Sequence, residues 1–284
     1  MATTSSPINL KIGFLTFGDG HISWRKTAER LEKSAKKSKY FIKAQAFSLR
    51  DIASDVTPSE TDFMKHHRGF GYWIWKPISI LRFIGENPTL DLILYLDAGC
   101  HLNINNLSKK LLDDFCSVAY KEGILAFRST HNEKDWTKRD LLEMFPSEFA
   151  NTTQFHATII IGTPDALSEV CKLWINVAQK KNHHFIDDSP SILKNETSFQ
   201  EHRHDQSILS LLLKSRGLTG IPDSSVYFVD YSEAAAFPIW ITRHVSRSNF
   251  GKGGIRNSLL KILDRFDRKL EQLINYLRTY INKR

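Results

Sequence analysis

Residues 10–17, LKIGFLTF, form an almost unbroken apolar run that predicts a buried strand, closed by Gly18-Asp19-Gly20. Residues 22–37 follow with Trp24, Ala28 and Leu31 at helical spacing, and residues 41–47 predict a second strand. A β-α-β opening of this kind starts a parallel, doubly wound sheet. Ligands of such sheets lie beyond the carboxyl ends of the strands, so Phe17 and Gly18 become candidates for a nucleotide edge. Residues 92–96, LILYL, predict a central strand running straight into Asp97-Ala98-Gly99. Further on, the pattern predicts helices over 107–120, 136–144, 165–180 and 204–214, and strands over 124–127, 155–161 and 226–229.

Residues 258–281 differ from everything before them. Apolar residues at 259, 263, 266, 270, 273, 277 and 280 alternate steps of four and three, with Lys261, Arg265, Arg268, Lys269 and Arg278 between them. This predicts one basic amphipathic helix, which packs back on the domain, pairs as a short coiled coil, or lies on a membrane surface. The expected division is therefore a catalytic α/β domain over 1–250 and a basic helical segment over 251–284.

Charge sharpens that division. The chain of 284 residues carries a net +8, and residues 243–284 hold 11 Lys and Arg against three acids, leaving residues 1–242 with 28 of each sign. Nucleic-acid binding would call for a basic patch interleaved with aromatics on a recognisable fold, so no nucleic-acid partner is expected. A segregated basic segment suits an anionic membrane surface or a diphosphate. Three cysteines without ligand spacing argue against a disulfide framework or a zinc site. The first nine residues lack the charges of a secretory leader, and no stretch is long and apolar enough to span a bilayer. The expected location is the cytosol, peripheral on the inner membrane face if the basic helix binds lipid.

Four segments carry candidate chemistry. RGFGYWIWKP, residues 68–77, offers Tyr72 and Trp73 as a wall for a nucleobase, or as ordinary core, and Arg68 and Lys76 for a diphosphate. YLDAGCH, residues 95–101, places Asp97 at a strand end, where a carboxylate can share a divalent cation with phosphates. FQEHRHDQSIL, residues 199–209, sets His204, Asp205 and Gln206 at a helix start, as caps or as catalytic groups. TRHVSRSNFGK, residues 242–252, supplies His244 as a possible metal ligand and Arg243, Arg247 and Lys252 as phosphate cations. Trp136, Lys138, Gln154 and His156 are candidates for a sugar or acceptor pocket, which needs convergent hydrogen bonds and an aromatic face.

Taken in this order, G-F-G-Y-W-I-W-K-P, Y-L-D-A-G and H-R-H-D-Q-S resemble bacterial-type glycosyltransferases of the GT-A fold that build cell-surface polysaccharides such as capsule and O-antigen. The resemblance spans roughly residues 10 to 250. It implies a Rossmann-like mixed sheet flanked by helices, a nucleotide-sugar donor, and a saccharide or lipid-linked acceptor. It also implies a divalent cation, Mn²⁺ or Mg²⁺, on Asp97 and His244, with Asp205 and Gln206 supporting the reacting sugar. The usual acidic motif of that fold is Asp-x-Asp, whereas Gly99 stands at its third position here. With that departure, either His244 and donor phosphates complete the metal shell or no metal is needed and the basic residues do its work, and a non-catalytic carbohydrate- or nucleotide-binding module on the same fold stays open.

Overall fold

The computed structural model describes residues 10–222 and 235–242. The expected strand at 226–229, the basic helix, and Arg243, His244, Arg247 and Lys252 lie outside the described residues.

The apolar run becomes β1 (Ile12–Phe17), every residue of it buried, and α1 (Ile22–Ser38) packs over it through Ala28, Leu31 and Ala35. β2 (Lys43–Phe47) pairs parallel to β1, and β3 (Leu92–Leu96) pairs parallel to its other side. Between β2 and β3 run α2 (Pro58–His66), a short turn α3 (Arg68–Tyr72) and α4 (Trp75–Glu86). α4 starts two residues before the expected Pro77, because the first backbone N–H groups of a helix have no partner within it and a proline among them costs nothing.

The second half departs from the parallel expectation. β4 (Cys100–Leu102) follows β3, and α5 (Ser108–Glu122) leads to β5 (Ile124–Leu125) and β6 (Phe127–Asn132). The helix expected over 136–144 is broken into α6 (Glu133–Trp136) and α7 (Arg139–Leu142), since Lys138 is extended and its N–H bonds His202 Nδ1. The strand expected over 155–161 is also two strands, β7 (Thr153–Phe155) and β8 (Ile159–Gly162), in different sheets. At the break, the carbonyls of Ala157 and Thr158 bond Lys76 Nζ and the Asp97 N–H, so they are not free for a sheet ladder. α8 (Pro164–His183), α9 (His204–Ser215), β9 (Ile221–Pro222) and β10 (Ile239–Ile241) complete the described chain.

The main sheet has the order β2-β1-β3-β8-β5, with β8 antiparallel to both β3 and β5, so it is mixed. β7, β6 and β9 form a second sheet, and β4 pairs antiparallel with β10. Alternation along β3 feeds both faces. Leu92, Leu94 and Leu96 join Phe14, Leu31 and Phe115 on one side, while Ile93 and Tyr95 join Ile78, Phe83, Trp174 and Leu211 on the other. Each such side chain, fully buried, contributes about 1.5–3 kcal/mol, and together they hold the end of β3 rigid where Asp97 emerges.

Candidate active site

Asp97 ends β3 at the carboxyl edge of the sheet, next to the break between β7 and β8. Its Oδ1 accepts from the Tyr95 hydroxyl at 2.7 Å and lies 3.1 Å from Lys76 Nζ. Lys76, on the first turn of α4, is 1% exposed. Its ammonium donates to Asp205 Oδ2 at 2.6 Å and to the Ala157 carbonyl at 3.0 Å. A buried ammonium without such partners would be strongly disfavoured. Burial does press the Lys76 pKa down, but Asp205 and Asp97 outweigh it and leave the pKa raised. Lys76, expected against the donor diphosphate, is therefore turned inward to join two carboxylates 108 residues apart in sequence.

The two acids differ in access. The Asp97 side chain is 32% exposed and the Asp205 side chain 9%, so a ligand reaches Asp97 first. Asp97 Oδ2 has no partner among the described residues. Burial raises the pKa of Asp205 despite Lys76 beside it. The loop after Asp97 is tied from two sides. Arg30 of α1 donates to the carbonyls of Ala98 (3.1 Å) and Cys100 (2.7 Å), and the Thr242 hydroxyl donates to Gly99 O at 2.7 Å.

The aromatic segment lies against this site in an unusual backbone. Gly69, Phe70, Gly71, Tyr72 and Trp73 all have positive φ, between 50° and 81°. A β-carbon on Gly69 would come within 2.7 Å of the Trp73 ring, and one on Gly71 within 2.8 Å of Met64 Cα. The left-handed turn presents its rings in two directions. Trp75 stacks on Phe17 with centroids 4.0 Å apart, whereas Tyr72 and Trp73 lie 4.9 and 5.6 Å from the His204 ring. Phe17 and Tyr72 are buried, so they form the wall behind the site rather than an open platform. Gly18 donates its N–H to Phe47 O, and its α-carbon sits so close to α1 that an added β-carbon would be 2.3 Å from Trp24 O. It sets the approach of strand to helix.

The remaining candidates divide by partner. Arg68 is half exposed and pairs with Glu201 at 2.7 Å and Asp188 at 3.8 Å. His204, at φ 49°, lies 2.8 Å through Nδ1 from Ile186 O and 3.4 Å through Nε2 from Asp188. Burial lowers its pKa. Lys138 is buried and donates to His184 O, Asp187 and Ser189, which fixes the loop after α8. Trp136 carries the Arg203 guanidinium 4.3 Å above its ring. His156 is half-buried, and its N–H bonds Phe127 O. Gln206 donates to Gln154 Oε1 at 2.8 Å. The structure thus brings Asp97, Lys76, Asp205 and the aromatic wall together, with Gln206 and Gln154 beside them, while Lys138 serves a loop.

Some participants were not singled out from the sequence. Arg30 left no signal, because a cation on a helix face usually meets only water. Lys214 did leave one. It stands three residues after Leu211 on the apolar face of α9, and a lysine at core spacing demands a buried acid, which is Glu133, 2.6 Å away.

A divalent cation finds little here. Among the described residues no three His, Cys, Asp or Glu side chains cluster to hold a metal. Asp205 is committed to Lys76, and an ammonium already stands beside Asp97. The described donor set does not fit a resident metal, and one on Asp97 would need donors from outside the described residues.

No known protein family and no curated protein matches the sequence. The fold is similar to that of a glycosyltransferase involved in the glycosylation of the major capsid of PBCV-1, at 12% identity, covering 90% of this chain and 98% of that one, with a TM-score of 0.46. A likeness so distant transfers neither residues nor roles.

Proposed function

We propose that the protein transfers a sugar from a nucleoside diphosphate donor to an acceptor hydroxyl, in the synthesis of a surface polysaccharide or glycolipid. The observation that carries this reading is the Asp97–Lys76–Asp205 cluster at the carboxyl end of the central strand, the position where open α/β sheets take their ligands. The motif resemblance described above supports it. Asp97, the accessible carboxylate, meets the ligand. Asp205, with Gln206 beside it, sets a negative field in which an oxocarbenium-like sugar is stabilised.

Lys76 cannot also neutralise the departing diphosphate, because its charge is matched by two carboxylates. That task falls to Arg68, whose pairs with Glu201 and Asp188 are solvent-exposed and so exchange readily for a phosphate, and, from outside the described residues, to Arg243, Arg247 and Lys252. A divalent cation carried in with the donor would be held by Asp97 and by His244, which lies outside the described residues, and would supply positive charge to the same end. The basic segment 251–284 would hold the enzyme on an anionic membrane near a lipid-linked acceptor; no described helix is long and apolar enough to cross a membrane.

The test is a panel of nucleotide-sugars, with and without Mn²⁺, read by thermal stabilisation and by release of nucleoside diphosphate. Stabilisation and release by one donor are expected, with release lost in Asp97→Asn. Donor binding without release from any acceptor would make the chain a binding module.

A further inference from the structure

Behind the site lies a buried polar relay that the reaction outlined above does not use. Glu133 has no exposed surface. Its Oε1 accepts from Lys214 Nζ (2.6 Å) and Ser210 Oγ (2.5 Å), and its Oε2 from Thr137 Oγ1 (2.8 Å) and Gln154 Nε2 (3.1 Å). Every lone-pair direction of the carboxylate is thereby taken by a donor. Gln154, also fully buried, donates with the same Nε2 toward Thr137 (2.9 Å), Ser207 (3.1 Å) and, at longer range, the Trp136 carbonyl (3.3 Å).

An amide has one accepting and one donating end, and a carboxylate only accepts. Glu133, the nearer of two pure acceptors and the only charged one there, therefore leads in turning the Gln154 nitrogen inward and its oxygen outward, with the Trp136 carbonyl assisting at 3.3 Å. The outward Oε1 meets Gln206 Nε2 at 2.8 Å, so Gln206 must in turn point its nitrogen inward. Its Oε1, one residue from Asp205 on a half-buried side chain, is left without a partner among the described residues.

We propose that Glu133 is a positioning residue that fixes the polarity of the Gln206 amide, so that the site offers a carbonyl oxygen and takes a hydrogen-bond donor, a sugar hydroxyl, from the ligand. The sugar as ligand rests on the function proposed above; the polarity of the relay does not.

The relay can be reversed. In Glu133→Gln the new amide keeps its oxygen toward Lys214 and Ser210 and turns its nitrogen toward Gln154. Gln154 then flips, and Gln206 flips after it, presenting NH₂ to a hydroxyl. Adding Gln206→Glu restores an oxygen at the ligand, because one carboxylate oxygen accepts from the flipped Gln154 and the other faces outward. With a nucleotide-sugar that the wild type turns over, kcat/KM is expected to fall about tenfold in Glu133→Gln, because the hydroxyl, whose oxygen can still accept from the NH₂, loses the acceptor that orients its proton. Gln206→Glu alone falls too, and the double variant recovers most of the loss. Loss without recovery in a folded double variant overturns the proposal, since structural damage at Glu133 would not be repaired from Gln206.

A second readout does not depend on turnover. With glutamine labelled by ¹⁵N, the Gln206 side-chain amide protons are expected to exchange slowly in the full-length wild type and fast in Glu133→Gln. If that variant does not fold, Gln154→Leu removes the acceptor and should speed exchange in the same way. Unchanged exchange overturns the proposal even where no donor is turned over, an outcome that would by itself overturn only the transfer reading.

Discussion

Lys76 Nζ sits 2.6 Å from Asp205 Oδ2 with both side chains nearly sealed from solvent, so the helix that follows the aromatic turn and the helix that carries the last acidic motif are joined by one ion pair. Removing one partner of such a pair leaves an uncompensated buried charge, at a cost of about 3–5 kcal/mol. Lys76→Met should lose that much stability in urea unfolding. Lys76→Met combined with Asp205→Asn should regain most of it while remaining inactive. Equal stability of the single and double variants would show that the pair is not the reason for the loss.

Asp97→Asn keeps the shape and the acceptor for Tyr95 but removes the charge at the accessible end of the cluster. We expect a folded protein with a melting temperature near that of the wild type and turnover lower by about a hundredfold or more. Turnover near the wild-type rate would take Asp97 out of the chemistry.

His202 and His204 set the acid limit of stability. Burial, with the nearby charges of His204 and Lys138, holds His202 well below its ordinary 6.5, and burial lowers His204 too. His202 uses its neutral form fully, accepting from the Lys138 N–H through Nδ1 and donating through Nε2 to Phe185 O. The unfolded chain therefore binds protons below 6.5 that the folded chain refuses. The contribution of these groups is complete above 6.5 and shrinks as pH falls toward their folded values. Urea midpoints measured from about pH 7 down to about pH 5 should decline, and less so in His202→Gln.

Gly18→Ala should destabilise by about 1–3 kcal/mol, because the new methyl meets the Trp24 carbonyl at 2.3 Å and Ala28 Cβ at 2.7 Å, neither of which can swing aside. Chemical denaturation measures the loss. An unchanged midpoint would mean that α1 can retreat freely from the sheet.

The full-length protein should sediment with vesicles containing anionic lipid and be released by salt. Each Lys or Arg near such a surface is worth about 1 kcal/mol, and the attraction falls off within a Debye length. Failure to sediment at low salt would return the basic segment to packing or pairing.

The central strands were readable because β1 and β3 are buried on both faces and need unbroken apolar runs. β7 and β8 read as one strand for the same reason: residues 155–161 are apolar enough to hide a three-residue gap whose carbonyls serve Lys76 and Asp97. Asp97 and Asp205 were legible as acids at the two places where a ligand could find them. The inward turn of Lys76 was not, since a lysine beside aromatics suits a diphosphate and a buried ion pair equally well. The polarity of Gln206 was also hidden. It depends on Glu133, which is 73 residues away and looks in sequence like any acid in a charged loop.

The left-handed turn at 69–73 has a thermal consequence. For a residue with a β-carbon this handedness costs roughly 1–2 kcal/mol, and Phe70, Tyr72 and Trp73 all adopt it. The turn closes local hydrogen bonds, Gly71 N–H to His67 O and Trp73 N–H to Gly69 O, but Phe70, Tyr72 and Trp73 are held left-handed chiefly by docking on Met64, Phe17 and His204. On heating, this stretch is the natural seam along which the molecule opens, a sub-global unfolding that costs less than melting the sheet. Ligand binding would then fade at a lower temperature than the main unfolding transition, and a ligand seated against the wall would raise the first event more than the second.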